Sequence, residues 1–210
     1  MKKFVFIMFF ASCFFCAGAW AIISKPPLRY SVLFHGDTRH GDEHFHSHRL
    51  DAFFTTTMPF IFKDEVTVKM IPFIELRYNT ERQRRQRTMT GVEFGVDLTD
   101  FLYVAQQLRY SWYSEMLYEH DVFEHTDMPE GLTKITLSRQ LLPDKQILKG
   151  YLSGEYTYDF KSGSGTRMDV IIGVIAALGK QWEANLGWRH DDRIHYFDCD
   201  SVEASVSYNF

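Results

Sequence analysis

The chain ends with the residues Asp200-Ser201-Val202-Glu203-Ala204-Ser205-Val206-Ser207-Tyr208-Asn209-Phe210. Every second residue of this stretch is apolar or aromatic, from Val202 to Phe210, and a polar residue fills every gap. Alternation with a period of two is typical of a β-strand that has one apolar face and one polar face. The sequence therefore predicts a last strand that closes on an aromatic residue.

This ending resembles the closing strand of bacterial outer-membrane β-barrels, whose terminal Phe is recognised by the machinery that inserts them. The resemblance covers one strand. It implies that Val206, Tyr208 and Phe210 form an insertion signal and that the barrel-assembly machinery is a partner during insertion. It implies an outer-membrane location, and it does not indicate an activity.

The beginning of the chain has the composition of a secretory signal peptide. A short basic start is followed by an almost wholly apolar stretch, and Ala19-Trp20-Ala21 is a small-x-small cleavage site. We therefore expect a cleaved signal peptide over residues 1–21 and one barrel domain over residues 22–210. The alternatives are an uncleaved membrane anchor and lipidation at Cys13.

The composition of the expected mature chain excludes two classes of protein. Cleavage takes away Lys2 and Lys3 and leaves 21 Lys and Arg against 27 Asp and Glu, a net charge of −6. Net acidity argues against nucleic acid as a partner. Cys199 is the one cysteine left after cleavage, so the exported chain is not a disulfide scaffold.

The period-two pattern predicts an all-β protein of ten strands, with eight or twelve as alternatives. Strand lengths near ten residues suit tilted transmembrane strands, and a closed antiparallel up-and-down barrel leaves no free edge. The ten predicted strands cover residues 28–35, 49–58, 66–78, 89–98, 101–113, 132–140, 147–159, 168–178, 181–190 and 200–210.

The order of connections indicates which way the barrel faces. Long and short connections alternate from the amino end, which predicts short periplasmic turns, longer extracellular loops and both termini in the periplasm. The apolar face then contacts lipid, whereas a lipocalin-like soluble barrel would turn it inward. Because buried charges persist only in pairs, we expect a lumen filled by ion pairs. The residues expected in this network are Glu75, Arg77, Glu93, Asp97, Arg109, Glu183 and Arg189.

Histidines are concentrated in the predicted long connections, and five of the nine lie between residues 35 and 48. Imidazole and carboxylate groups at short spacing suit zinc, copper or nickel. The ligands predicted for such a metal are His40, His44, His46, His48 and Asp42. A solvated or pH-responsive rim is the alternative interpretation.

The second long connection carries the basic run Glu81-Arg82-Gln83-Arg84-Arg85-Gln86-Arg87. Arginine forks bind phosphate well, so Arg82, Arg84, Arg85 and Arg87 are predicted to contact the phosphates of an outer-membrane glycolipid. Pairing with the acidic connection 114–131, or simple solvation, would explain the run equally well.

An enzymatic function has one candidate site in the sequence. The stretch His190-Asp191-Asp192 is similar to the rim position of the aspartate and histidine residues of omptin-type barrel proteases, but a partner Asp pair is missing, and no His, Ser and Glu set of a lipid A deacylase can be placed. We therefore predict no catalytic residues. The expected role is structural or surface-interactive, through charged His-rich loops, with metal binding, a narrow pore or a rim hydrolase as alternatives.

Overall fold

A computed structural model describes residues 26–38, 44–60, 63–80, 84–113, 127–142, 147–194 and 198–210. These residues form an antiparallel β-barrel. None of them belongs to a helix long and apolar enough to cross a membrane. The strands are β1 (Leu28–Asp37), β2 (His44–Ala52), β3 (Phe54–Phe60), β4 (Lys63–Asn79), β5 (Arg84–Asp97), β6 (Leu102–Tyr113), β7 (Asp127–Gln140), β8 (Leu148–Asp159), β9 (Ser164–Ala177), β10 (Trp182–Arg193) and β11 (Cys199–Asn209).

Strands β2 and β3 together occupy one strand position of the barrel. Both pair with β4 in a single register, with Asp51 opposite Phe73 and Phe54 opposite Met70. The interruption falls at Phe53, whose backbone N–H donates to the Pro27 carbonyl at 2.9 Å. The barrel therefore has ten strand positions, as the sequence predicts, and the alternatives of eight and twelve strands are wrong.

The first and last strands close the barrel. β1 pairs with β2 on one side and with β11 on the other, the latter from Arg29 opposite Asn209 to Asp37 opposite Ser201. The remaining strands pair in chain order from β4 to β11. This is the closed up-and-down arrangement expected from the sequence.

The two ends of the barrel differ in their connections. The end that bears Leu28 and Asn209, here called the terminal end, carries the tight turns 98–101 and 178–181. Gly179 has a φ of +99°, a left-handed conformation that favours glycine at this turn. The opposite end, here called the loop end, carries the long connection between β6 and β7.

Several strands extend further at the loop end than the sequence predicts. β2 begins at His44 rather than 49, β5 at Arg84 rather than 89, and β7 at Asp127 rather than 132. Alternation marks a strand only while one face stays apolar, whereas the backbone hydrogen bonds continue where both faces are polar. The polar ends of these strands were therefore assigned to connections.

The two faces of the wall differ in chemistry as expected. The side chains of Glu75, Glu93 and Asp169 point inward and are at most 8% exposed, while Ile172 and Leu186 point outward and are each 55% exposed. Among the side chains that the structure describes, the strand positions facing outward carry Lys, Arg, Asp or Glu only near strand ends, at Arg139, Asp192 and Asp200. The apolar face of this barrel is its outside.

Candidate functional site: the charged lumen

Within the part of the chain that the structure describes, the charged side chains are concentrated in the lumen of the barrel. Its free volume is about 410 Å³, and charged side chains of both signs line it. These charges form two main groups, which we call the β5–β7 cluster and the β8–β11 cluster.

The β5–β7 cluster places one carboxylate between two arginines. Glu130 Oε2 accepts from Arg87 Nη2 at 2.6 Å and from Arg109 Nε at 2.9 Å. Ser111, which is fully buried, accepts from Arg87 at 2.5 Å and donates to Glu130 at 3.2 Å. The register explains the contact, because Arg109 and Glu130 are direct partners of β6 and β7. Both arginines therefore donate to the same carboxylate oxygen.

The β8–β11 cluster is centred on the guanidinium of Arg189. Its Nη1 donates to Glu155 at 3.1 Å and to Asp169 at 2.5 Å, and its Nε donates to Glu203 at 2.8 Å. One side chain on β10 thus contacts carboxylates on β8, β9 and β11. Charge-assisted hydrogen bonds of this kind are about twice as strong as neutral ones. Arg189 therefore links the four neighbouring strands β8 to β11.

Further ions surround this centre. Arg167 lies 3.2 Å from Asp169 and 3.6 Å from Asp191, and Lys134 lies 3.4 Å from Glu155. His35 contacts Glu203 at 3.2 Å while its ring stacks on Phe45 with centroids 4.3 Å apart. The cluster therefore reaches from β7 around to β1.

The seven predicted network residues all lie in charged or hydrogen-bonded contacts, but most of their partners lie outside the predicted set. Arg77 lies 3.6 Å from Glu75, another member of that set. Arg109 pairs with Glu130, and Arg189 pairs with Glu155, Asp169 and Glu203. These four acids are outside the predicted set. Glu93 accepts hydrogen bonds from Tyr103 and Gln107. At the terminal end, Asp97 pairs with Lys69 at 2.7 Å and Glu183 with Arg29 at 3.0 Å.

Arg87 has a different environment from the one predicted for it. Its side chain is 6% exposed and lies in the lumen against Glu130, away from any lipid, since the inward parity of β5 continues through residue 87. The expected lipid contact of Arg87 is therefore wrong. Arg84 and Arg85 begin β5, and Arg82 lies outside the described residues.

The predicted metal ligands are divided between two places. His40 and Asp42 lie outside the described residues, whereas His44, His46 and His48 belong to β2 rather than to a loop and occupy its outward face. Among the residues that the structure describes, no group of three or more His, Cys, Asp or Glu could hold a metal ion. The proposed zinc, copper or nickel site stays a prediction that depends on residues 39–43.

The middle residue of the hydrolase candidate lies on the opposite face of β10 from His190 and Asp192. Asp191 points into the lumen toward Arg167, while His190 points outward and its Nδ1 lies 2.9 Å from Asp200. The strand parity that splits His190 from Asp191 could have been applied at the sequence level. The described residues do not bring together the set that an omptin-type mechanism needs.

Two further predictions concern the two ends of the chain. The signal peptide and Cys13 lie outside the described residues. In the expected insertion signal, Tyr208 packs against Trp182 with centroids 4.8 Å apart and against Phe210 at 4.8 Å, and Val206 is exposed on the outer face. Their recognition by an assembly machine remains an expectation.

Comparison with known proteins gives likeness in structure only. No family model matches the chain, and no curated protein matches it. The KdgM porin in complex with disordered oligogalacturonate is 10% identical, with 88% of this chain and 99% of that chain covered and a TM-score of 0.47. The NanC porin is 9% identical, with 86% and 100% covered and a TM-score of 0.45.

A third similar structure is the translocator domain of the autotransporter NalP from Neisseria meningitidis. It is 10% identical, with 93% of this chain and 92% of that chain covered and a TM-score of 0.41.

Proposed function

We propose that the protein is a small outer-membrane β-barrel whose lumen is closed by ion pairs and whose role is structural or surface-interactive. One observation carries this proposal: the outer wall is apolar between its ends, while the inner wall is charged and paired. A barrel in water would need the opposite arrangement, because apolar surface of this extent would associate. The observed arrangement suits hydrocarbon instead. Lipid contacts the apolar outer face, and the closed barrel satisfies its backbone hydrogen bonds internally.

The connections support an orientation. The longest connection between strands, residues 114–126, lies at the loop end, and the tight turns 98–101 and 178–181 lie at the terminal end, as in barrels with periplasmic termini. We therefore assign the loop end to the cell exterior. The lipid and glycolipid of the outer membrane are then the partners of the outer wall.

The location has a direct test in cells. Treating intact cells with a protease specific for glutamate should cleave the chain within residues 114–126, which contain Glu115, Glu119 and Glu124. The folded barrel should also migrate differently from the boiled chain on a gel. Cleavage that needs permeabilised cells would contradict the orientation, and recovery in the soluble fraction would contradict the membrane location.

The density of paired charge supports the proposed closed lumen. Arg189 and its three carboxylates occupy one side, and Arg87, Arg109 and Glu130 occupy another. Ions held by such contacts do not make way for a solute without losing them. We expect the purified protein to produce no discrete conductance steps in planar bilayers.

A second candidate is a narrow pore, because the charged lumen keeps some free space. About 410 Å³ remains inside the barrel, which leaves room for water and small ions between the charged side chains. Conductance steps that change in size when Arg189 is replaced by methionine would establish this candidate and remove the closed lumen. The same recording therefore decides between the two.

A further inference from the structure

A single cavity follows the inside of the barrel over most of its length. Arg29 and Glu183 line it near the terminal end, and Arg167 and Asp191 line it toward the loop end. Glu183 and Asp191 are eight positions apart on β10, a length of roughly 26 Å along the strand and of roughly 20 Å along the axis of a barrel with tilted strands. The apolar band of a transmembrane barrel is about 25 Å tall. The cavity therefore extends along most of the wall that is proposed to lie in the membrane.

Hydrogen-bonding groups line one side of this cavity, on β10, β11 and β1. The inward residues of these strands form rows, because direct partners of the antiparallel ladders lie side by side. Each row carries at least one side-chain oxygen or nitrogen to which a water molecule can bond. Counted from the terminal end, three successive rows are Ser31 with Ser207 and Glu183, Leu33 with Ser205 and Asn185, and His35 with Glu203 and Gly187.

The row that contains Ser205 differs from its neighbours, because none of its three members is charged. The Ser205 hydroxyl and the Asn185 amide supply its hydrogen-bonding side-chain groups, and Leu33 completes it. The Tyr151 hydroxyl donates to Asn185 Oδ1 at 3.1 Å, so this amide has a fixed place on the wall. Replacing two side chains would therefore make the whole row apolar.

The charged groups nearer the loop end are held by one another. Arg189 donates to Glu155, Asp169 and Glu203, and Arg167 lies 3.2 Å from Asp169. An entering ion would give up part of its hydration, and groups that are already paired offer it little in return. A cation would also pass two guanidinium groups, and an anion would pass three carboxylates. A water molecule is neutral and bonds to donors and acceptors alike, so these charges do not exclude it.

We propose that water crosses the barrel along the β10–β11–β1 side of the lumen and that ions do not. The inference rests on the proposed membrane location and on the proposed closure of the lumen to ions, and it adds a passive water path to that function. Selectivity in narrow pores depends on the hydrogen-bonding groups that line the path and on fixed charges that repel ions. The rows from Ser31 to Glu203 supply the first, and the β8–β11 cluster supplies the second.

The test measures water flow into and out of vesicles. The full-length folded protein is reconstituted into phosphatidylcholine vesicles, which are mixed rapidly with a hyperosmotic sucrose solution. Shrinkage is followed by light scattering, and insertion is confirmed on each sample by heat-dependent gel migration. We expect the vesicles to shrink faster in proportion to the amount of inserted protein. Shrinkage no faster than that of protein-free vesicles would overturn the proposal.

A double variant tests the route. Asn185→Leu with Ser205→Leu makes the row beside Leu33 apolar and bulkier, so the water flow should fall to the protein-free value. Ala204→Leu is the matched control on the outer face of β11, between Phe34 and Leu186, and should keep the wild-type flow. Unchanged flow in the inserted double variant would overturn the proposed route. If that variant does not fold, unchanged flow in inserted Ser205→Leu would overturn it as well.

Planar-bilayer recordings on the same preparation separate this inference from the proposed function. Water flow without conductance steps is the expected result and supports both. Absence of water flow together with absence of steps would overturn the water path and leave the closed lumen in place. Conductance steps would contradict the closed lumen and, with it, the exclusion of ions from the path.

Discussion

The inner and outer walls of this barrel are built from the same strands and follow opposite rules. On β9, Asp169 points inward at 1% exposure and contacts two arginines, while Ile172 points outward at 55% exposure. In a soluble barrel these positions would exchange their chemistry. Exposure alone therefore does not tell which substitutions this fold tolerates, because the medium outside the barrel is proposed to be hydrocarbon.

The largest effect should come from removing the centre of the inner wall. Arg189→Met leaves Glu155, Asp169 and Glu203 close together without their shared cation. We expect a loss of about 3–5 kcal/mol in the free energy of unfolding, because breaking a buried pair strands the opposite charges. The measurement is the urea midpoint of the reconstituted barrel, followed by gel mobility.

Arg29→Met is the matched control for this prediction. Arg29 pairs with Glu183 at the terminal end, and the two side chains are 34% and 35% exposed. Solvent screening should limit the loss to about 1 kcal/mol or less. Equal losses in the two variants would mean that the inner wall is not a dry, coupled network.

The outer wall should reject charge even where it is fully accessible. Ile172→Arg adds a cation at a position inside β9, and we expect a destabilisation of about 2–4 kcal/mol in lipid. Leu178→Arg lies at the tight turn of the terminal end and is the control, with an expected effect of about 0–1 kcal/mol. If Ile172→Arg were as harmless as an ordinary surface substitution, the lipid-facing assignment would fail.

A smaller effect is expected in the β5–β7 cluster. Glu130→Gln keeps an acceptor for Arg87 and Arg109 but removes the one carboxylate between them. We expect a loss of about 2–3 kcal/mol, less than for Arg189→Met, since the hydrogen bonds partly survive. The same urea series measures it, with Glu183→Gln at the exposed pair as the control. A loss below that of the control would argue against charge pairing in this cluster.

The sequence predicted the strands better than the partners within them. The period-two alternation locates every strand position of the barrel, because one apolar, lipid-facing side imposes this pattern from β1 to β11. Glu130 was missed since it precedes the apolar part of β7 and was assigned to the connection 114–131. Arg87 was misassigned for the same reason at the start of β5.

The pairing of charges has a further physical limit. Which carboxylate meets Arg189 depends on the register between β9, β10 and β11, and alternation fixes the face of a residue but not its register. The histidines of β2 show the limit again. Parity of the strand would have placed His46 and His48 outside, but only after the start of β2 was known to lie at His44.

The smallest predicted effect concerns close packing on the inner wall. A Cβ added at Gly173 would lie 2.6 Å from the Leu186 carbonyl oxygen and 2.7 Å from the Tyr151 hydroxyl, so Tyr151 fits over this glycine only because the side chain is absent. Gly173→Ala should therefore destabilise the barrel by about 1–3 kcal/mol. Gly154 is the control, because a Cβ added there meets nothing within 4 Å. Gly154→Ala should change stability by no more than about 0.5 kcal/mol. Equal urea midpoints for the two alanine variants would mean that Tyr151 moves aside freely, and that the inner wall is held by its charges rather than by its packing.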